Sequence, residues 1–297
     1  MLLNKPISIK YILNKVKYEM LFVLIISLLT HYLTYQLRAL LPEMPLTIPA
    51  FIGTAISILL SFKLNQSYDR WWEARKVWGS IVNDSRSFVL QLQSLLAKGN
   101  ESVIKKIAYR QIAWCYGLGQ SLRGLNPIDN MEKFMTSDEL TVANTHRNVP
   151  LALLQMHSSD VAELRKDSRI DVFCHLQLDN TLVRLCDAMG KAERIKSTVF
   201  PATYRLFLHL MIYLFVITLS ISLTDVGGLF EIPLLLILSG AFFLLEKTAT
   251  NMQDPFDNKP TDTAVTAIAR TIEINIKQLL KETDIPQSHQ PSKFYIS

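Results

Sequence analysis

An all-α fold with four membrane-spanning helices and a large water-facing helical region is what this sequence predicts. Three observations carry that expectation. Apolar residues gather in four runs, at about 20–37, 48–64, 204–223 and 232–246, two early and two late; runs of this kind read as spanning helices. Between and after them, about 65–200 and 262–283, apolar residues recur at helical spacing with no sustained alternation, so strands are not indicated. Lys and Arg avoid the short connections between spans and crowd the remainder. At 297 residues, 49% hydrophobic and 19% charged, the composition suits a membrane part joined to a sizeable aqueous part.

The first segment is basic, with Lys5, Lys10, Lys15 and Lys17, and leads into the span Met20–Leu37. No small-residue cleavage site follows that run, so it is expected to remain as a span. His31 and Gln36 fall near its far end. With no second His or acid at helical spacing, His31 reads as an interfacial histidine. Pro42, Pro45 and Pro49 suit a short turn before the second span.

The second span is the most informative stretch. From Ile48 to Leu60 no side chain is ionisable, and Ala50, Gly53, Thr54, Ala55, Ser57 and Ser61 keep it slim enough for close helix packing. A basic and aromatic collar follows: Lys63, Asp69, Arg70, Trp71, Trp72, Glu73, Arg75 and Lys76. No proline or glycine interrupts Lys63–Trp78, so one helix should run on past the apolar part. Thr54, Ile58 and Phe62, four residues apart, share one face. Spacing alone favours a packing surface for that face; the sharper reading is a narrow apolar constriction that gates by dewetting.

The middle region reads as helices, with Ile104, Ile107, Ala108 and Ile112 recurring in one segment and Leu176, Asn180, Val183 and Asp187 in another. Pro127 and Asn148–Pro150 mark breaks. Tyr204–Leu223 is the third span, Asp225–Gly228 a tight turn, and Ile232–Leu245 the fourth span, entered through Pro233. Asp262 is placed to cap a final helix, whose apolar stripe is Val265, Ile268, Ile272, Ile276 and Leu279.

The connection at 224–233 carries no Lys or Arg and that at 38–49 only Arg38, so both termini and the helical region should face the cytoplasm. The net charge of +5 is then topological and does not argue for nucleic acid. Cys115, Cys174 and Cys186 read as free thiols in a reducing compartment. Enzyme motifs of the metalloprotease, P-loop, nucleophile-elbow and dithiol kinds are absent, and no cofactor or metal site is expected. Glu73, Glu193 and Glu273 are expected to pair with Arg70, Arg75, Arg194 or Arg270 rather than to act as catalytic acids. Trp71 and Trp72 fit a belt at the membrane edge.

Ser67-Tyr68-Asp69-Arg70-Trp71-Trp72-Glu73-Ala74-Arg75, followed by Trp78-Gly79, resembles the signature of the bestrophin family of ion channels in its bacterial branch. Gly190-Lys191-Ala192-Glu193-Arg194 with Thr198 and Pro201, then Asp254-Pro255-Phe256, then Arg270-Thr271-Ile272-Glu273 with Asn275, resemble further family segments in family order. The resemblance covers nearly the whole chain. It implies a single channel domain over 1–297, a homopentamer around an axial pore in the inner membrane, and passive flux of monovalent ions. Counting from the motif, it puts the pore neck on Thr54, Ile58 and Phe62, and a second, cytoplasmic aperture on Phe173. The family pattern is apolar at all three neck positions, so Thr54 is a departure. Arg70, Trp71, Trp72, Glu73, Asp254, Pro255 and Phe256 become structural motif residues. Animal relatives are opened by calcium in an acidic clasp after the D/N-P-F turn. Here Lys259 stands where an acid is expected, which implies no calcium gating. Ion sign stays open: animal members resemble anion channels, bacterial relatives lean to monovalent cations. Two rivals are a non-conducting membrane scaffold or sensor, and a membrane-bound enzyme.

Overall fold

Nine helices and no strand occur among the described residues of the computed structural model, which are 9–37, 44–198, 201–227, 230–290 and 295; at residues 9 and 224–227 only the backbone is described. In chain order they are α1 Ile9–Gln36, α2 Thr47–Leu95, α3 Glu101–Leu122, α4 Ser137–Asn144, α5 Val149–Lys166, α6 Val172–Ser197, α7 Ala202–Gly227, α8 Glu231–Gln253 and α9 Val265–Leu279. The expectations for Lys5, Arg38, Pro42 and Gly228 lie outside the described residues.

Each apolar run falls inside one helix, except that α1 ends at Gln36, one residue before the end of the first run. Three helices, α2, α7 and α8, are long and apolar enough to cross a membrane. α1 is not among them, although its 28 residues would reach about 42 Å at 1.5 Å per residue. α2 is longer than expected. It passes through Gly79 without a break and runs 49 residues. The turn expected at Asp225–Gly228 begins later, because α7 continues to Gly227.

The chain divides into two compact units. In the first, Lys5–Arg70 with Val199–Gln253, α1 packs on α7 and α8, and α7 on α8. Its apolar core joins Val16 and Val23 of α1, Ile56 and Leu60 of α2, Leu208, Ile212 and Phe215 of α7, and Leu235 and Phe243 of α8.

The second unit, Trp71–Thr198 with Asp254–Ser297, is built around α3. That helix packs on α5, α6 and α9, and is buried along Ile107, Ala108, Ile112, Trp114 and Leu118. The later part of α2 adds Trp78, Ile81, Phe88 and Leu92. Gly117 of α3 has no room for a side chain: a Cβ there would collide with the Met131 methyl and come within 3.2 Å of the Pro127 carbonyl. Helix starts are set locally. Thr136 and Glu139 form a reciprocal capping box on α4, Asn148 caps α5, and Asp171 accepts from the Cys174 N–H at the start of α6.

Two sequence expectations need correction here. α9 begins after Ala264 with no side-chain cap; Asp262 accepts instead from the Lys259 N–H, 2.9 Å, inside the preceding loop. The recurrence of Leu176, Asn180, Val183 and Asp187 is real but marks the exposed face of α6, whereas its core face is Leu178, Leu182, Leu185 and Met189. The stripe of α9 is as expected: Val265, Ile272 and Ile276 are buried and Ile268 and Leu279 pack against them.

Candidate pore-lining face

Thr54, Ile58 and Phe62 lie on a face of α2 that no other described residue of the chain covers. Ile58 is 53% exposed and Phe62 61%, and Thr54 is also exposed, its hydroxyl turned back to the Ala50 carbonyl at 2.8 Å. That internal bond occupies the donor of the only polar side-chain group of the three and leaves its oxygen as an acceptor. The face is therefore not a packing surface within this chain.

The opposite face is held firmly. Gly53 meets the Phe215 ring so closely that a Cβ there would sit 3.2 Å from it. The Tyr204 hydroxyl donates to the Leu59 carbonyl at 2.7 Å. Lys63, expected in an exposed basic collar, is 1% exposed. Its ammonium donates to Glu246 Oε1 at 2.7 Å and to the Thr250 hydroxyl at 2.9 Å. The lysine bends inward here to a carboxylate on α8 that is itself buried in the helix bundle; an unpaired ammonium there would be costly.

The collar beyond it is partly as expected. The Trp71 indole donates to the Thr261 carbonyl at 3.0 Å, Trp72 is half exposed, and the two rings tilt against each other with centroids 6.3 Å apart. Glu73 pairs with Lys76 at 2.5 Å, one turn on, where an arginine was expected. Glu193 accepts from Asn148 at 2.9 Å. Glu273 does pair with Arg270, 3.1 Å, and also takes the Tyr116 hydroxyl, 2.7 Å. Phe173, the second residue of α6, is 81% exposed, so it belongs to no core in this chain.

Asp254-Pro255-Phe256 forms a folded corner. Asp254 Oδ1 accepts from the Phe256 N–H at 3.1 Å, its other oxygen binds Lys196 at 2.6 Å, and the Phe256 ring is fully buried. Asp257 pairs with Lys259 and stands 4.0 Å from Lys196. Asp262 is buried beside them; burial, with Asp254 and Asp257 nearby, pushes its carboxyl up to about 6. Among the described residues no group of three or more His, Cys, Asp or Glu is placed to hold a metal ion.

Sequence reasoning missed two polar clusters inside the apolar unit. One is Lys63, Glu246 and Thr250. The other joins His31 to Glu231, 3.0 Å, with Ser220 donating to the same oxygen at 3.1 Å. His31 thus has an acid partner, 200 positions away, which no search at helical spacing finds. The available signal was that Glu231 and Glu246 sit at the two ends of an otherwise uncharged run.

Long apolar helices, buried ion pairs within them and a free uncharged helix face define a helical membrane protein. The chain matches the model of the bacterial and fungal bestrophin proteins over residues 7–278, and belongs to that family. It is 31% identical over 248 residues to the voltage-dependent anion channel-forming protein YneE of Salmonella typhi, covering 83% of this chain and 80% of that one. It is 28% identical over 237 residues to the voltage-dependent anion channel-forming protein RSc3414 of Ralstonia nicotianae, covering 80% and 78%. The fold superposes on the crystal structure of a bacterial bestrophin homologue from Klebsiella pneumoniae with a TM-score of 0.84 at 22% identity, over 90% of this chain and 99% of that one.

Proposed function

We propose that the chain is an ion channel: one domain over 1–297 that assembles as a homopentamer around an axial pore in the inner membrane, with four spans and both termini in the cytoplasm. Small monovalent ions pass through it without chemical conversion. The neck is formed by Thr54, Ile58 and Phe62 and the cytoplasmic aperture by Phe173. The observation that carries this reading is the uncharged face of α2, left bare while the opposite face is pinned at Gly53, Leu59 and Lys63. An apolar ring of that kind restricts flux by dewetting and does not itself choose the sign of the ion. Its relatives in Ralstonia and Salmonella are named as anion channel-forming proteins, which favours anions.

Calcium is not the opening stimulus in this reading. A hard cation needs several free oxygen ligands, and in the 254–263 loop Asp254 and Asp257 already face Lys196 and Lys259.

Current through a planar bilayer under a NaCl gradient tests the proposal. Wild type should conduct, its reversal potential naming the ion's sign, and Ile58→Ala and Phe62→Ala should raise conductance by widening the neck. No flux in bilayers or in dye-loaded liposomes, for wild type and both variants, would overturn the channel reading. Conducting variants indistinguishable from wild type would move the neck elsewhere.

A further inference from the structure

The three anchors of α2 alternate with the three neck positions. Gly53 precedes Thr54, Leu59 follows Ile58, and Lys63 follows Phe62. Each anchor lies on the packed side of the helix and each neck residue on the bare side. Successive helical residues are about 100° apart, so one step of rotation would turn the neck side chains off their face.

The anchors differ in how strictly they fix rotation. The Gly53–Phe215 approach and the apolar residues Ile56 and Leu60 make non-directional contacts. The Tyr204 bond is to a backbone carbonyl, whatever side chain stands there. Lys63 alone makes side-chain bonds to two defined acceptors. Those acceptors are themselves joined, since the Thr250 hydroxyl donates to the same Glu246 Oε1 at 2.7 Å. Two groups of α7 face the carboxylate as well: His209 Nε2 stands 3.3 Å from Oε2, and Arg205 Nε 3.9 Å from Oε1. Against apolar residues of equal shape a buried ion pair adds little stability. Its attested use is to exclude alternative registers.

We propose that the Lys63–Glu246–Thr250 cluster is the positioning element of the channel neck: it sets the rotation of α2 that keeps Thr54, Ile58 and Phe62 on one face, and through it the neck's permeability. The inference rests on the neck reading above. Lys63 touches no ion; it acts through its neighbour Phe62.

The test compares wild type, Lys63→Met, the apolar pair Lys63→Met with Glu246→Met, and the swapped pair Lys63→Glu with Glu246→Lys. The protein is the full chain in planar bilayers under a NaCl gradient. Conductance and the sodium-to-chloride permeability ratio are read beside the melting temperature in detergent. The apolar pair should assemble and melt close to wild type, since no buried charge is left unpaired and Arg205, half exposed, keeps access to water, yet show a several-fold altered conductance and a shifted permeability ratio. The swapped pair should return both part of the way towards wild type, since it restores the link between α2 and α8 but sets an ammonium beside Arg205 and His209. A purely structural cluster would move melting and leave permeation unchanged. If the apolar pair melts and conducts like wild type, the proposal is overturned, and it is also overturned if Lys63→Met melts low but conducts normally. Failure of the neck reading is separate: it would appear as Ile58→Ala and Phe62→Ala conducting like wild type.

Discussion

The two units of this chain handle buried charge in different ways. In the α3-centred unit, charges are shared. Arg110, almost wholly buried, donates to Asp160 at 2.5 Å and also to Glu139, and Lys106 stands 3.5 Å from the first acid and 3.8 Å from the second. Glu273 takes Arg270, Lys277 and the Tyr116 hydroxyl together. In the α1–α7–α8 unit, each buried cluster hangs on one carboxylate, Glu246 or Glu231. Water can replace a lost partner at the edge of the α3-centred unit, and is kept from the buried carboxylates of the α1–α7–α8 unit. The sparse clusters should therefore be all-or-none, and the shared ones graded.

The largest expected effects test that contrast. Lys63→Met leaves a buried carboxylate facing only Thr250, His209 and Arg205, and should cost about 3–5 kcal/mol, read by chemical unfolding in detergent. Phe88→Ala, which empties a fully buried site in the other unit, should cost a similar ~3–5 kcal/mol. The second substitution distinguishes their causes. Adding Glu246→Met to Lys63→Met should recover most of the loss, because the penalty belongs to the orphaned charge. No second polar substitution should recover Phe88→Ala. A double variant no better than the single would show that the pair contributes packing and not charge balance.

What was legible in the sequence divides along the same line. Helices were readable because apolar spacing is local: the stripes of α3 and α9 lie within one segment each. α2 was underestimated because Gly79 reads as a helix breaker, whereas packing of Trp78 and Ile81 on either side overrides the local cost of about 1 kcal/mol. The bare face of α2 was visible as a spacing, but whether another helix covers it depends on contacts no spacing encodes. The motif residues came through resemblance to a family, not through any physical pattern. Lys63 with Glu246 and His31 with Glu231 were invisible, since partners 183 and 200 positions apart leave no periodic trace. By sequence Lys63 reads as the first residue of the charged collar; its burial is decided by Glu246 on α8.

A smaller pair of effects sharpens the comparison inside the α3-centred unit. His157 is fully buried, stacked edge-on against Phe88 at 5.3 Å, with neither ring nitrogen bonded among the described residues. Burial, reinforced by Arg110, holds its pKa well below the usual 6.5. The unfolded chain then binds a proton that the folded one does not, so stability is present above about 6.5 and lost as pH falls below it. Asp262 runs the other way: with its carboxyl raised from 3.8 to about 6, its contribution is full below 3.8 and lost as pH rises through about 6. His157→Leu should flatten the fall between pH 7 and 5. Asp262→Asn, which keeps an oxygen for the Lys259 N–H, should stabilise the protein by about 2 kcal/mol at pH 8 and by little at pH 4. Melting temperatures across pH 4–8 check both, and an unchanged slope in either variant would show that its group does not titrate with unfolding.

The smallest stability effect is expected where the functional effect is not small. Phe173 and Phe88 are the same side chain in the same unit, one 81% exposed and the other 0%. Phe173→Ala should change unfolding free energy by no more than about 0.5 kcal/mol, as for other surface positions. A phenylalanine costs free energy when held in water, so a position that keeps one bare without structural return points to a surface used in assembly or permeation. If Phe173 forms the cytoplasmic aperture, its truncation should widen that ring and raise conductance or shift rectification while melting stays fixed. An unchanged current with unchanged melting would remove Phe173 from the pore. A lowered melting temperature or a loss of oligomer would make it a subunit contact instead.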